Sequence, residues 1–135
     1  MREIEFRGKR VDNGTWVYGD FCKPCNIVWL KEDKELNDLT IFDEKVQEET
    51  IGQYTGLKDK NENKIFAGDI VRQTMTVNGE IVQRVAKIVF DDGGYWLLYP
   101  NNQIFRLMQN TIDIYELEVI GNIYDNPELL ENQSE

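Results

Sequence analysis

Ile70-Val71-Arg72-Gln73-Thr74-Met75-Thr76-Val77-Asn78-Gly79-Glu80-Ile81-Val82-Gln83-Arg84-Val85-Ala86-Lys87-Ile88-Val89-Phe90 decides the fold of this 135-residue chain. Two runs rich in β-branched residues flank Asn-Gly, a dipeptide suited to the left-handed backbone of a two-residue hairpin turn. Such a turn sets Val77 opposite Glu80, Met75 opposite Val82, Gln73 opposite Arg84 and Val71 opposite Ala86. Ile88-Val89-Phe90 is apolar on both faces, so burial should deepen toward that end.

The same punctuation continues downstream. Asp91-Asp92-Gly93-Gly94 turns the chain into Tyr95-Trp96-Leu97-Leu98-Tyr99, and Pro100-Asn101-Asn102 turns it again into Ile104-Phe105-Arg106-Leu107-Met108. Residues 70–108 therefore read as a four-stranded antiparallel meander. Tyr115, Leu117 and Val119 alternate with Glu116 and Glu118, the pattern of a half-exposed strand running on to Ile120 and Ile123. Pro127-Glu128-Leu129-Leu130 reads as the first turn of a short helix, with Asn126 as its cap and Glu128 at its positive end. Upstream, Asn13-Gly14 separates Ile4–Arg7 from Thr15–Tyr18 in an N-terminal hairpin with Trp16 and Tyr18 on one face. Residues 26–30 suggest a further strand. The charged stretch 31–39 reads as an exposed acidic loop, part of it mobile.

Composition agrees with one globular β-rich domain over 1–135: 41% of residues are apolar and 11% aromatic. No long apolar run predicts a membrane span. The N-terminus alternates charged and apolar residues, unlike a signal peptide, so a cytoplasmic location is expected. The formal charge is −10. Residues 31–50 hold eight acidic residues against three lysines, and after Arg106 there are seven acidic residues with no Lys or Arg. Nucleic-acid binders carry the opposite sign, so free duplex DNA is not an expected ligand. A basic patch drawn from Lys58, Lys60, Arg72, Arg84 and Lys87 is the one route to an exception.

Candidate chemistry is sparse. The chain has no histidine, which removes the commonest proton shuttle and any Ser-His or Cys-His nucleophile. Cys22-Lys23-Pro24-Cys25 has the spacing of a redox pair or of half a zinc site. It lies between two apparent strands with Pro inside it, and the chain has no further Cys or His, so a zinc site would need the same pair from a second copy across a two-fold axis; a turn is the expectation. Lys58-Asp59-Lys60-Asn61-Glu62-Asn63-Lys64 lacks the glycine cradle of a phosphate loop. Asp91-Asp92-Gly93-Gly94 lacks the spaced ligands of a calcium loop. The aromatics Trp16, Trp29, Tyr95, Trp96 and Tyr99 are expected in cores rather than in base stacking. No catalytic, cofactor-binding or metal-binding residue is assigned, and the chain is not expected to be an enzyme.

Four stretches resemble the YopX family of phage and prophage proteins. They are Glu5–Arg10 with Trp16–Gly19, Glu49–Asp59, Ile65–Val71, and Val119–Leu130. Asn63 departs from the family pattern, where the turn usually carries Gly. The resemblance implies a phage or prophage origin in a bacterial host, a β-rich fold and homo-oligomers, with no established activity. Gly56 and Gly68 stand where φ is expected to be positive, and Asp69 where it can accept from nearby backbone donors. A Gly-Asp step entering a strand recurs in SH3-like barrels, so the meander is expected, by analogy, to close into a small barrel of that kind. The function these readings imply is a non-catalytic oligomeric module that binds a host or phage protein. The alternative is a modulator of nucleic-acid transactions, such as an acidic mimic of DNA.

Overall fold

The computed structural model describes residues 5–20, 27–29, 39–41 and 44–131. The chain divides into two compact units, Met1–Gly56 and Leu57–Glu135.

In the first unit, β1 (Glu5–Lys9) and β2 (Trp16–Asp20) form the expected N-terminal hairpin, with Gly8 opposite Val17 and Lys9 opposite Trp16. The turn is longer than a two-residue one. Gly14 N–H donates to Arg10 O, and Asn13 Oδ1 accepts from both the N–H and the hydroxyl of Thr15. β3 (Ile27–Trp29), β4 (Leu39–Ile41) and β5 (Glu44–Lys45) make a three-stranded antiparallel sheet. Leu39, expected at the end of a loop, opens β4. The rest of that loop, and the Cys22/Cys25 pair, lie outside the described residues. A 3-10 turn at Glu48–Thr50 is anchored to β1 because Lys9 N–H donates to Thr50 Oγ1 at 2.9 Å. β6 (Gly52–Lys58) carries the chain from one unit into the next: its start pairs with β1, and its neighbour on the other side is β7 (Lys64–Phe66).

The second unit contains the predicted meander. β8 (Asp69–Val77), β9 (Glu80–Asp91), β10 (Gly94–Leu98) and β11 (Ile104–Arg106) lie side by side, and β12 (Glu118–Asn122) completes a five-stranded sheet against β8. The β8–β9 register is the one read from the sequence, from Val77↔Glu80 through Met75↔Val82 and Gln73↔Arg84 to Val71↔Ala86. Asn78 and Gly79 both have positive φ, at 52° and 82°, as that turn demands. The expectation of a mainly β, antiparallel fold holds. The described strands group as open sheets, and no closed barrel is found among them.

Side-chain alternation gives the sheet two faces. One carries Val71, Ala86, Ile88, Tyr95 and Leu97 into a core completed by Ile65, Leu107, Ile112 and Leu117. Each Val, Ile or Leu among them contributes about 1.5–3 kcal/mol on burial.

One element differs from the sequence reading. Gln109–Tyr115, expected to lead directly into a strand, forms helix α1, and β12 starts only at Glu118. The helix has no side-chain N-cap and is rich in β-branched residues, which are weak helix formers. It is held by packing of Ile112, which is 2% exposed, against the core. Glu116 ends it at φ 51°, and Leu117 N–H returns to Ile112 O at 3.2 Å. α2 (Glu128–Glu131) is the expected C-terminal helix. Asn126 does not cap it through its side chain: its Oδ1 accepts from Asn122 N–H instead.

Two polar residues fix how the hairpins join. Asp69 Oδ2 accepts from Phe66 N–H at 2.7 Å, while Gly68, at φ 97°, donates from its N–H to Ile88 O and accepts from Ile123 N–H. Gly56 also has positive φ. Asp59 is 3% exposed, and its carboxylate accepts from the N–H groups of Asn61 and Asn63 through Oδ1 and of Val119 through Oδ2. Asn63 Nδ2 adds a longer contact at 3.4 Å. Burial alone would raise the Asp59 pKa, but these donors outweigh it and hold the carboxyl below its ordinary value. Asn63, the departure from the family pattern, thus serves as a donor to Asp59, and Glu62 takes the positive φ of this turn.

Gly68→Ala is expected to destabilise the fold by about 1–2 kcal/mol, because a Cβ is disfavoured at that φ. Glu116→Gly is expected to stabilise it by about 0.5–1 kcal/mol for the same reason, less the entropy of the glycine. Urea midpoints at constant m-value check both. Asp59→Asn should cost about 1–3 kcal/mol at neutral pH, since an amide nitrogen cannot accept from the donors facing it. Because the folded pKa is depressed, the wild-type carboxylate stabilises the fold above its unfolded pKa, and that contribution is lost as pH falls through the folded value. Urea titrations across the acid range should therefore show the gap between wild type and Asp59→Asn closing on acidification.

Candidate functional site

The sheet gathers its cations and aromatics where β9, β10 and β11 meet. Tyr99, the residue after β10, is 2% exposed. Its hydroxyl and Gln73 Oε1 form a hydrogen bond, with the phenol as donor. Arg84 lies over the Tyr99 ring, 4.1 Å from the centroid, and its Nη2 donates to Gln103 Oε1 at 2.8 Å. Phe105 meets the same ring edge-on, with centroids 5.8 Å apart. The turn before β11 is shaped for this. Tyr99 N–H donates to Gln103 O, Asn102 N–H to Tyr99 O, and Gln103 N–H to Asn101 Oδ1. Burial raises the Tyr99 pKa, with the Arg84 charge opposing, so the phenol keeps its proton as a donor rather than serving as a base.

The opposite face carries a second cation–aromatic pair. Trp96 Nε1 donates to Asp91 O, and the Arg106 guanidinium sits 5.3 Å from the Trp96 ring centroid. Lys87, Leu98, Pro100, Asn102 and Leu130 border an open groove of about 200 Å³ beside Tyr99. In the first unit Arg7 covers Trp16 at 4.6 Å.

These pairings are what sequence inspection missed. Tyr95 and Tyr99 are core residues as expected, but Trp16, Trp96 and Tyr99 each carry a basic partner from another strand or from across a turn. The basic patch considered above does not assemble as one surface. Arg72 is neutralised by Glu118 at 2.9 Å, and Arg84 and Lys87, an odd number of residues apart in one strand, face opposite sides of the sheet. The segments 58–64 and 91–94 are turns: Asp59 organises the first, and the second joins β9 to β10 with Asp92 and Gly93 at positive φ. Among the described residues no group of three or more His, Cys, Asp or Glu is placed to hold a metal ion. No helix among them is long and apolar enough to cross a membrane.

Comparison with known proteins agrees with the four matching stretches. No curated protein matches the chain. The crystal structure of protein EF1440 from Enterococcus faecalis is similar, with a TM-score of 0.58 over 94% of this chain and 97% of that one, at 23% identity. That likeness is one of fold. Residues 5–131 match the YopX family, described as YopX protein. With nearly its whole length matched, the chain belongs to the YopX family.

Proposed function

We propose that the chain is a non-catalytic accessory protein of phage or prophage origin, acting inside a bacterial host by binding protein, and that it assembles with copies of itself. The observation that supports this reading is the outer half of the β8–β9 hairpin. From Thr76 to Gln83 every residue is exposed, on both faces of the ribbon. Three of them are large and apolar: Val77 is 44% exposed, Ile81 73% and Val82 37%. The core of the chain makes no use of these side chains. Exposed apolar surface is where another chain gains burial, and here Val77 and Val82 lie on one face of the ribbon and Ile81 on the other, so a partner can cover both.

Substituting this arm separates association from folding. Ile81→Lys with Val77→Lys should leave the stability in urea within about 0.5 kcal/mol of wild type, since both side chains are exposed and position 77 faces Glu80 across the turn. The same change should abolish concentration-dependent association in sedimentation equilibrium. A wild-type chain that sediments as a monomer throughout, indistinguishable from the substituted one, would overturn the reading.

A further inference from the structure

We propose that the outer edge of β11 takes up an extended peptide strand of the pattern acidic–apolar–apolar–acidic, in antiparallel addition to the five-stranded sheet. The proposal rests on the protein-binding reading above but uses a different surface from the arm.

The backbone of β11 is set for it. β11 ends the order β11-β10-β9-β8-β12, so one of its sides has no strand neighbour among the described residues. On the inner side, Tyr99 N–H bonds to Gln103 O and Leu107 N–H to Tyr95 O, each at 2.9 Å. In an antiparallel pair, hydrogen-bonded positions alternate with non-bonded ones. With Leu97 opposite Phe105, the inward-bonding residues are 103, 105 and 107. The N–H and C=O groups of Ile104 and Arg106 therefore point outward. Arg106 O is met by the Thr111 hydroxyl at 3.3 Å. Ile104 N–H, Ile104 O and Arg106 N–H have no partner among the described residues. An added strand can exchange both bonds with Ile104 and give one acceptor to Arg106.

The side chains choose what that strand carries. Free edges are usually kept short and charged to stop such pairing. β11 is short, yet Ile104 is 52% exposed and Phe105 51%. Residues opposite one another in a ladder share a face. A guest residue opposite Phe105 packs on the Phe105–Tyr99 face, and one opposite Ile104 packs on the other face; both are best apolar. A guest residue opposite Arg106 meets an arginine whose guanidinium lies over β10, against Gly94 and the Trp96 ring. A guest residue opposite Gln103 meets Arg84, whose contacts are Gln103 and the Tyr99 ring. Neither arginine has a carboxylate partner among the described residues, in a chain of net charge −10. Running antiparallel to β11, the guest reads acidic, apolar, apolar, acidic from its N-terminus. Main-chain bonds supply the affinity and the alternating side chains the selectivity.

The test uses the full chain, isotopically labelled, and the octapeptide Gly-Ser-Glu-Val-Val-Glu-Ser-Gly. Titration should shift the amides of Ile104 and Arg106 and slow their hydrogen exchange. The same peptide with both Glu replaced by Lys should bind at least about tenfold more weakly, as should the parent peptide to Arg84→Glu or Arg106→Glu. Ile104→Pro removes an outward N–H without touching the β10 ladder, so it should keep the sheet and lose the peptide. A peptide N-methylated at the second Val, which faces Ile104, tests the same bond on wild-type protein should that variant misfold. Equal binding of the Lys peptide, undiminished binding of the N-methylated peptide, or unshifted Ile104 and Arg106 amides would each overturn the proposal. Self-association abolished by Ile104→Pro would overturn it in favour of a second copy at this edge. Loss of peptide binding with arm-dependent association intact would leave the binding-module reading standing.

Discussion

The buried carboxylate of Asp59 ties the ends of the second unit together. Asp59 sits at the end of β6, and its oxygens collect the amides of its own turn together with Val119 N–H at the start of β12. The adjacent Lys60 N–H reaches Leu117 O at 3.0 Å. A buried carboxylate is costly unless its lone pairs are filled. Here the donors that fill them come from two segments some sixty residues apart in sequence. The turn and β12 therefore stabilise one another, and β12 pairs with β8 beside the core. Gly68 supports the same junction from the other side, linking Ile88 and Ile123 through its own N–H and C=O.

Electrostatics follow from that frame. The chain is acidic overall, yet the meander concentrates cations against aromatic faces, with Arg84 on Tyr99 and Arg106 on Trp96. A guanidinium over a ring sheds part of its water while its in-plane donors stay directed outward. The acidic excess sets a repulsive background for polyanions, while the local cations stay able to meet a carboxylate at short range.

Much of the β architecture was legible in the sequence, and particular residues explain why. Asn78-Gly79 allows one tight turn, and the period-two pattern on either side leaves one register that buries Val71 and Ala86 together. Helix α1 was not legible. Gln109–Tyr115 contains Thr111, Ile112, Ile114 and Tyr115, whose intrinsic preferences favour a strand, and the helix exists because Ile112 finds the core. The spacing of Met108, Ile112 and Tyr115 was the signal available. The barrel expectation leaned on the Gly68-Asp69 step, whose local chemistry is as read, but a local step does not dictate how the edges of a sheet are finished. The Tyr99 cluster draws Gln73, Arg84, Tyr99 and Phe105 from four successive segments of the meander. Only a sheet already aligned reveals that they meet.

The β8–β9 arm has a consequence for how the chain evolves. Its outer turn closes locally, on a timescale of about 1–10 μs for a hairpin, and its distal pairs bury little. Opening that tip costs far less than unfolding the sheet. Apart from Asn78 and Gly79, whose positive φ sets the turn, substitutions at positions 76–83 are therefore only weakly screened by folding. The strand positions of the arm can drift while Asn78-Gly79, Asp59, Gly68 and the core stay under constraint, so sequence divergence within such a fold should collect on either side of the turn first.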